Sequence, residues 1–150
     1  MRRSNFRYNI VTNGIRILFI ILFVYTATSK LLMLEEFKTQ LEKAPYLSTY
    51  AIFLAWGIPL FEYIITILFL FQKLIHIALY LSLGIMLVFT LYIFQVLNFS
   101  DSIPCACGGV ISALGWKAHF IFNILFTVLA LIGVILYNNQ KNSFIKNFTT

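Results

Sequence analysis

The chain has 150 residues, of which 61% are hydrophobic and only 11% charged, and its mean hydropathy is +0.90. Soluble domains are nearer half apolar and one quarter charged, so this composition argues strongly against a soluble globular protein. The formal net charge of +6 comes from scattered basic residues. No nucleic-acid motif accompanies them, and no nucleic-acid partner is expected.

Four long apolar runs divide the sequence. They cover residues 15–34, 51–71, 74–97 and 118–137. As a helix, each run could cross about 30 Å of hydrocarbon at about 1.5 Å per residue, and a membrane span must satisfy its backbone hydrogen bonds internally. The sequence therefore predicts an all-α fold, an integral membrane four-helix bundle that forms one domain over residues 1–150 in the lipid bilayer. The sixteen phenylalanines are expected to lie mostly against lipid.

The first run also fits a secretory signal peptide, because basic residues precede it and small residues occupy positions 26–29. The run nevertheless continues past Lys30 through four more apolar residues. That continuation favours a retained helix whose lysine reaches outward.

Basic residues are unevenly divided between the two sides of the predicted bundle. Seven would lie on the side of the termini, namely Arg2, Arg3, Arg7, Arg16, Lys73, Lys141 and Lys146, and four on the other, namely Lys30, Lys38, Lys43 and Lys117. This excess predicts cytoplasmic termini in a bacterial inner membrane, with extracytoplasmic loops over residues 35–50 and 98–116. In the first loop, the spacing of Phe37 and Leu41 suits a short interfacial helix, and a solvated turn is the alternative.

The second predicted loop contains both cysteines of the chain, Cys105 and Cys107, between Pro104 and two glycines. On an oxidising face of the membrane such thiols tend to pair. A disulfide across one intervening residue requires a turned backbone, which the proline and glycines can supply. Strained, exposed disulfides are typically labile, so the pattern favours thiol/disulfide exchange, with Cys105 and Cys107 as the catalytic pair of any enzyme activity.

Two other roles of the cysteines stay open, a structural bridge and ligation of a metal. The nearest further ligands, Asp101 and His119, do not complete a zinc spacing, and no metal site is predicted.

Polar residues within the apolar runs are further candidates. Glu62 lies near the middle of the second run, where a carboxyl group is costly and is expected to face the bundle interior. Lys30 lies near the outer end of the first run, so a direct pair with Glu62 would require bending or a long reach. Pro59 is expected to kink the second helix, which could open a pocket.

His119 and Asn123 are four residues apart and share one face of the fourth helix, just below the cysteine loop. With Glu62 they form a candidate cofactor-binding set, for which the cofactor would be a membrane quinone. Packing polarity between helices is the alternative role for all three residues.

The order of these features resembles the MauE/DoxX group of small four-helix bacterial membrane proteins. The resemblance covers essentially the whole chain, and its discriminating positions are Lys30, Pro59, Glu62 and the segment that begins Pro104-Cys105-Ala106-Cys107-Gly108. Gly109-Val110 departs from the single glycine and aromatic residue typical of MauE-like sequences, which leaves the partner open.

The resemblance implies a redox-associated membrane protein. MauE-like proteins are associated with methylamine utilisation, where they are thought to support maturation of a disulfide-rich subunit, and DoxX-like relatives are linked to quinone-coupled thiol oxidation. The expected function is thiol/disulfide exchange with an extracytoplasmic protein partner. A non-enzymatic membrane accessory subunit with a structural cysteine loop is the alternative, and a heavy-metal carrier is a third function class.

The predicted topology can be tested with reporter fusions. Because four arginines lie before or within the start of the first run, the termini should be cytoplasmic. Alkaline phosphatase fused after Asn98 should be active, and the same enzyme fused after Lys141 should be inactive. The reverse pattern would contradict both the topology and the oxidising surroundings assumed for the cysteines.

Overall fold

The computed structural model describes residues 2–43, 47–99 and 115–146, and throughout these ranges the ordered elements are helical. The α-helices are α1 (Arg2–Leu32), α2 (Leu34–Lys43), α3 (Ala51–Leu70), α4 (Ile75–Phe99) and α5 (Gly115–Lys146). Single turns of 3-10 helix, Ser48–Tyr50 and Gln72–Leu74, precede α3 and α4. The predicted all-α class is confirmed.

Four of these helices are long and apolar enough to cross a membrane. Their apolar windows are Ile10–Leu32, Ser48–Leu70, Gln72–Gln95 and Lys117–Asn139. Each window has 23 or 24 residues and would extend about 35 Å at about 1.5 Å per residue, which exceeds the hydrocarbon thickness. No more than a third of any window is buried within the bundle, which leaves much apolar surface available for contact with lipid.

Aromatic side chains build the centre of the core. Phe19, Phe23 and Phe69 are almost completely buried, at no more than 1% exposure. The Phe19 ring centroid lies 5.6 Å from that of Phe23, 6.1 Å from that of Phe69 and 5.7 Å from that of Phe126. Phenylalanine therefore joins three helices at the bundle centre, in addition to the lipid-facing role expected of it.

Two hydrogen bonds set the register of α1 against α3. One joins a side chain to a backbone carbonyl, and the other joins two side chains. Arg16 donates from Nη2 to the Leu70 carbonyl at 3.0 Å, which satisfies one of the last carbonyl groups of α3. Near the other end, the hydroxyl groups of Thr28 and Tyr63 are 2.7 Å apart. Thr28 therefore lies level with Tyr63.

This register makes one end of the bundle uneven. Thr28 is four residues from the end of α1, whereas Tyr63 is twelve residues from the start of α3. The eight-residue difference means that α3 extends about 12 Å beyond α1. α2 packs against this extension through Leu41, which is buried with Ala51 and Ala55. The short helix predicted from Phe37 and Leu41 is confirmed.

The chain passes from α1 to α2 with little loss of backbone hydrogen bonding. Met33 is the single residue between the two helices, and its N–H donates to the Ser29 carbonyl at 3.1 Å. Its own carbonyl accepts from the N–H of Phe37 at 2.9 Å. The helical ladder therefore continues through the junction.

Gly133 of α5 lies at a close contact between helices, and we expect this position to be sensitive to added side-chain volume. A Cβ at Gly133 of α5 would lie 2.9 Å from Leu79 Cδ2 and 3.3 Å from Ile15 Cγ2, and both neighbours are buried core residues. Gly133→Val should destabilise the bundle by about 1–3 kcal/mol through overpacking. The measurement is reversible unfolding in mixed detergent micelles, followed by tryptophan fluorescence.

Gly14→Val is the matched control, because a Cβ at Gly14 would meet nothing within 4 Å. It makes the same chemical change in another membrane-spanning helix. Equal stability of the two variants would contradict the close packing of α5 against α1 and α4.

Candidate functional site

A cavity of about 720 Å³ lies inside the bundle. All five helices contribute to its wall, and α2 covers it with Phe37, Gln40 and Leu41. Most of the lining is apolar or aromatic, and the charged groups are Lys30 and Glu62. A largely apolar pocket with a few convergent polar groups is the usual form of a small-molecule site.

Lys30 and Glu62 form an ion pair in this cavity, with Nζ and Oε1 2.5 Å apart. The Glu62 side chain is 2% exposed and that of Lys30 is 21% exposed. The lysine ammonium also lies 5.9 Å from the ring centroid of Phe37 and 5.5 Å from that of Phe89, within range of cation–π attraction. The two charges are therefore neutralised inside the bundle and are enclosed by aromatic rings.

The uneven end of the bundle explains how this pair forms. The sequence placed Lys30 at an interface and suggested that pairing with Glu62 would need a bend or a long reach. In the structure α1 ends well below the start of α3, so Lys30 lies at almost the depth of Glu62 without a break in either helix. The expectation of a poor match was wrong because it assumed that both helices end at one level.

One oxygen of the Glu62 carboxyl group has no hydrogen-bond partner among the described residues. This oxygen, Oε2, is buried. The Thr26 hydroxyl lies within interaction range of the carboxyl group, and its other contact is a long hydrogen bond of 3.4 Å to the Phe23 carbonyl. Thr66 donates to the backbone carbonyl of Glu62 at 3.0 Å and not to the side chain. Oε2 therefore keeps an unmet capacity to accept a hydrogen bond at the edge of the cavity.

His119 and Asn123 line the same cavity from α5. Their predicted common face is present, and the Asn123 Nδ2 donates to the His119 carbonyl at 3.0 Å. Thr127 donates to the Asn123 carbonyl at 2.8 Å, and its hydroxyl lies 3.1 Å from that of Thr90 on α4. The three predicted polar residues, Glu62, His119 and Asn123, thus share one cavity.

Pro59 lies within α3 and is fully buried. The helix continues through it, although proline cannot donate the backbone hydrogen bond that the Ala55 carbonyl would otherwise accept. Its neighbours Gly57, Ile58 and Glu62 line the cavity. The cavity therefore borders the part of α3 that contains Pro59, and the kink expected at this residue stays a prediction.

Cys105 and Cys107, the predicted catalytic pair, lie outside the described residues. The segment that carries them, residues 100–114, joins Phe99 at the end of α4 to Gly115 at the start of α5. Gly115 lines the cavity and has the left-handed backbone angle φ +73°, which favours glycine. The chain that leaves the cysteines therefore enters the cavity wall eight residues after Cys107.

Several features of the cavity were not identified from the sequence. Gly57 and Gly84 line it, as does Tyr92, and Lys30 was not among the predicted cofactor-binding residues. The position of Lys30, one turn inside the end of an apolar run, could have indicated that it lines the site. The glycines carry no comparable signal. Among the described residues no cluster of three metal-ligating side chains occurs.

The apolar spans and the buried ion pair define a multi-pass integral membrane protein with an internal cavity. A sequence model of the family described as methylamine utilisation protein MauE matches residues 8–136, and the chain belongs to that family. The matched range includes both cysteines and every candidate polar residue. Neither the curated proteins nor the solved structures that were compared gave a match.

Removal of one partner of the ion pair should be strongly destabilising. Lys30→Met would leave the Glu62 carboxylate buried without its counter-charge, at an expected cost of about 3–5 kcal/mol. Replacing both residues, as Lys30→Met with Glu62→Leu, should restore most of that stability because no buried charge remains. A double-mutant cycle of unfolding free energies in detergent micelles measures the coupling.

Lys38→Met is the matched control on α2. Lys38 lies 3.9 Å from Glu35 and 4.0 Å from Glu42, and both carboxylates are exposed. Its loss should change the free energy of unfolding by no more than about 0.5 kcal/mol. Equal effects of the two lysine substitutions would contradict the burial of the Lys30–Glu62 pair.

Proposed function

We propose that this member of the MauE family is a thiol/disulfide oxidoreductase of the bacterial inner membrane. In this proposal Cys105 and Cys107 exchange a disulfide with an extracytoplasmic protein and thereby support maturation of that partner. The observation that carries the proposal is that Gly115, which follows the two-cysteine segment in the sequence, lines a cavity holding Lys30, Glu62 and His119. The family description adds a link to methylamine utilisation.

The exchange consumes one disulfide and forms another. Two thiols of the partner are oxidised to a disulfide, while the Cys105–Cys107 disulfide is reduced to two thiols. A mixed disulfide between one cysteine and the partner is the intermediate. The two thiols are then reoxidised by a membrane quinone, which takes up two electrons and two protons and becomes a quinol.

The cavity suits the second half of this cycle because it joins apolar walls to a small number of polar groups. A quinone is itself an apolar molecule with a polar ring edge, and the bilayer supplies it. The residues proposed to meet it are Glu62, His119 and Asn123, which line the cavity together. They offer a carboxyl group, an imidazole and an amide within a single apolar site.

Trapping of the partner tests the exchange. In Cys105→Ser or Cys107→Ser, the remaining thiol should stay joined to the partner, because resolution of the mixed disulfide requires the second cysteine. At least one single variant should therefore give a larger species on non-reducing gels of native membranes. The species should disappear on reduction, and maleimide labelling should report the free thiols.

The double variant, Cys105→Ser with Cys107→Ser, is the control and should give no such species. All three variants should remain folded, because so short a bridge restrains the unfolded chain weakly. If neither single variant captures a protein and the native pair stays oxidised under every donor condition, the cysteines are structural. The accessory-subunit function would then replace the proposed one.

A further inference from the structure

Two glycines leave unfilled space in the cavity wall. Gly57 on α3 and Gly84 on α4 both line the cavity, and a Cβ built on either would meet nothing within 4 Å. Glycines on membrane helices more often allow close approach of a neighbouring helix, as Gly133 does here. At Gly57 and Gly84 no neighbouring helix approaches the position of the missing Cβ, so both glycines leave open space in the cavity wall.

This space lies at the depth of the bilayer interior. Gly57 is the tenth of 23 residues in its span and Gly84 the thirteenth of 24. Both are exposed, as are the neighbouring cavity residues Phe61 and Val88, at 37% and 62%. Exposed residues of α3 and α4 at mid-span thus form part of the cavity wall, and from them we infer a side opening between these two helices. A molecule using it would come from the lipid phase.

The polar end of the cavity restricts what such a molecule can be. Glu62 Oε2 is buried without a donor among the described residues, so a bound molecule that donates a hydrogen bond there satisfies it. Lys30 already neutralises the carboxylate. A cationic ligand would therefore leave a net positive charge in an apolar site, and a neutral hydroxyl donor fits better.

The walls favour a planar ring near this donor. Aromatic side chains line the cavity from all five helices, including Phe23, Phe37, Phe61, Phe89 and Phe122. Aromatic rings pack well against one another in offset or edge-to-face arrangements. The volume of about 720 Å³ is within the range of sites for drug-sized molecules.

We propose that the cavity binds the ring of a membrane quinol, admitted from lipid between α3 and α4 across Gly57 and Gly84. A ring hydroxyl donates to Glu62 Oε2, and the apolar tail leaves through the side opening. This inference rests on the quinone coupling in the proposed function and adds the site of the reduced form and its route. The two glycines are then positions that determine access, and Glu62 recognises the hydroxyl.

Binding can be measured without redox turnover in the full chain carrying Cys105→Ser and Cys107→Ser. The protein is placed in lipid nanodiscs under anaerobic conditions with a photoreactive azidobenzoquinol. A benzoquinol with a decyl tail competes for the label, and mass spectrometry locates the labelled peptides. Label on α3 and α4 that the quinol displaces is the expected result.

Two comparisons test the details. The dimethyl ether of the same quinol lacks the donor and should compete about tenfold less well or worse, since one hydrogen bond to a charged acceptor is lost. Gly57→Leu and Gly84→Leu should likewise weaken displacement by at least about tenfold, because leucine fills the opening. Gly14→Leu, on a glycine outside the cavity with open space around it, should bind as the parent does.

Equal competition by the quinol and its dimethyl ether would overturn the role of Glu62. Normal binding by both leucine variants would overturn the route between α3 and α4. If either leucine variant fails to fold, the dimethyl ether comparison on the parent still decides the site. If the quinol does not bind but the single-cysteine variants still capture a partner, this inference alone is rejected. If the quinol binds but no partner is captured, the thiol exchange is rejected.

Discussion

Charge neutrality inside an apolar bundle is the constraint on which the rest of this structure depends. Glu62 lies deep in α3, where an ionised carboxyl group without a partner would be costly. Lys30 neutralises it only because α1 ends far below the start of α3. The difference in level in turn leaves a length of α3 for α2 to cover, and α2 closes the cavity at that end. One ion pair thus relates the depths of three helices.

Much of the architecture was predictable because it depends on composition along single segments. Apolar runs determine the number of spans, and the spacing of Phe37 and Leu41 determines the short helix α2. The relative depth of two helices is different, since it depends on contacts between segments. Hydrogen bonds such as that between Thr28 and Tyr63 set it, and threonine and tyrosine in a span have several possible partners. For that reason the Lys30–Glu62 pair was underestimated.

The candidate site likewise combines features that were predictable from the sequence with features that were not. The common face of His119 and Asn123 follows from helical spacing and was predictable, whereas their sharing of a cavity with Glu62 depends on how α5 meets the other helices. Glycine is the least predictable residue of all. Gly133 packs against Leu79 and Ile15, yet Gly57 and Gly84 face open space, and the sequence around each is equally apolar. The exchange chemistry of Cys105 and Cys107 stays a prediction from their motif.

The junction at Met33 has a consequence for where α2 can lie. An ordinary loop exposes unpaired peptide groups, and each would cost several kcal/mol in hydrocarbon. Here the Met33 N–H and carbonyl are both bonded within the helical ladder, so the chain changes from one helix to the next while its peptide groups stay shielded. The chain can therefore turn at the edge of the bundle with its peptide groups already paired, while the exposed Glu35 and Glu42 keep the outer face of α2 suited to water.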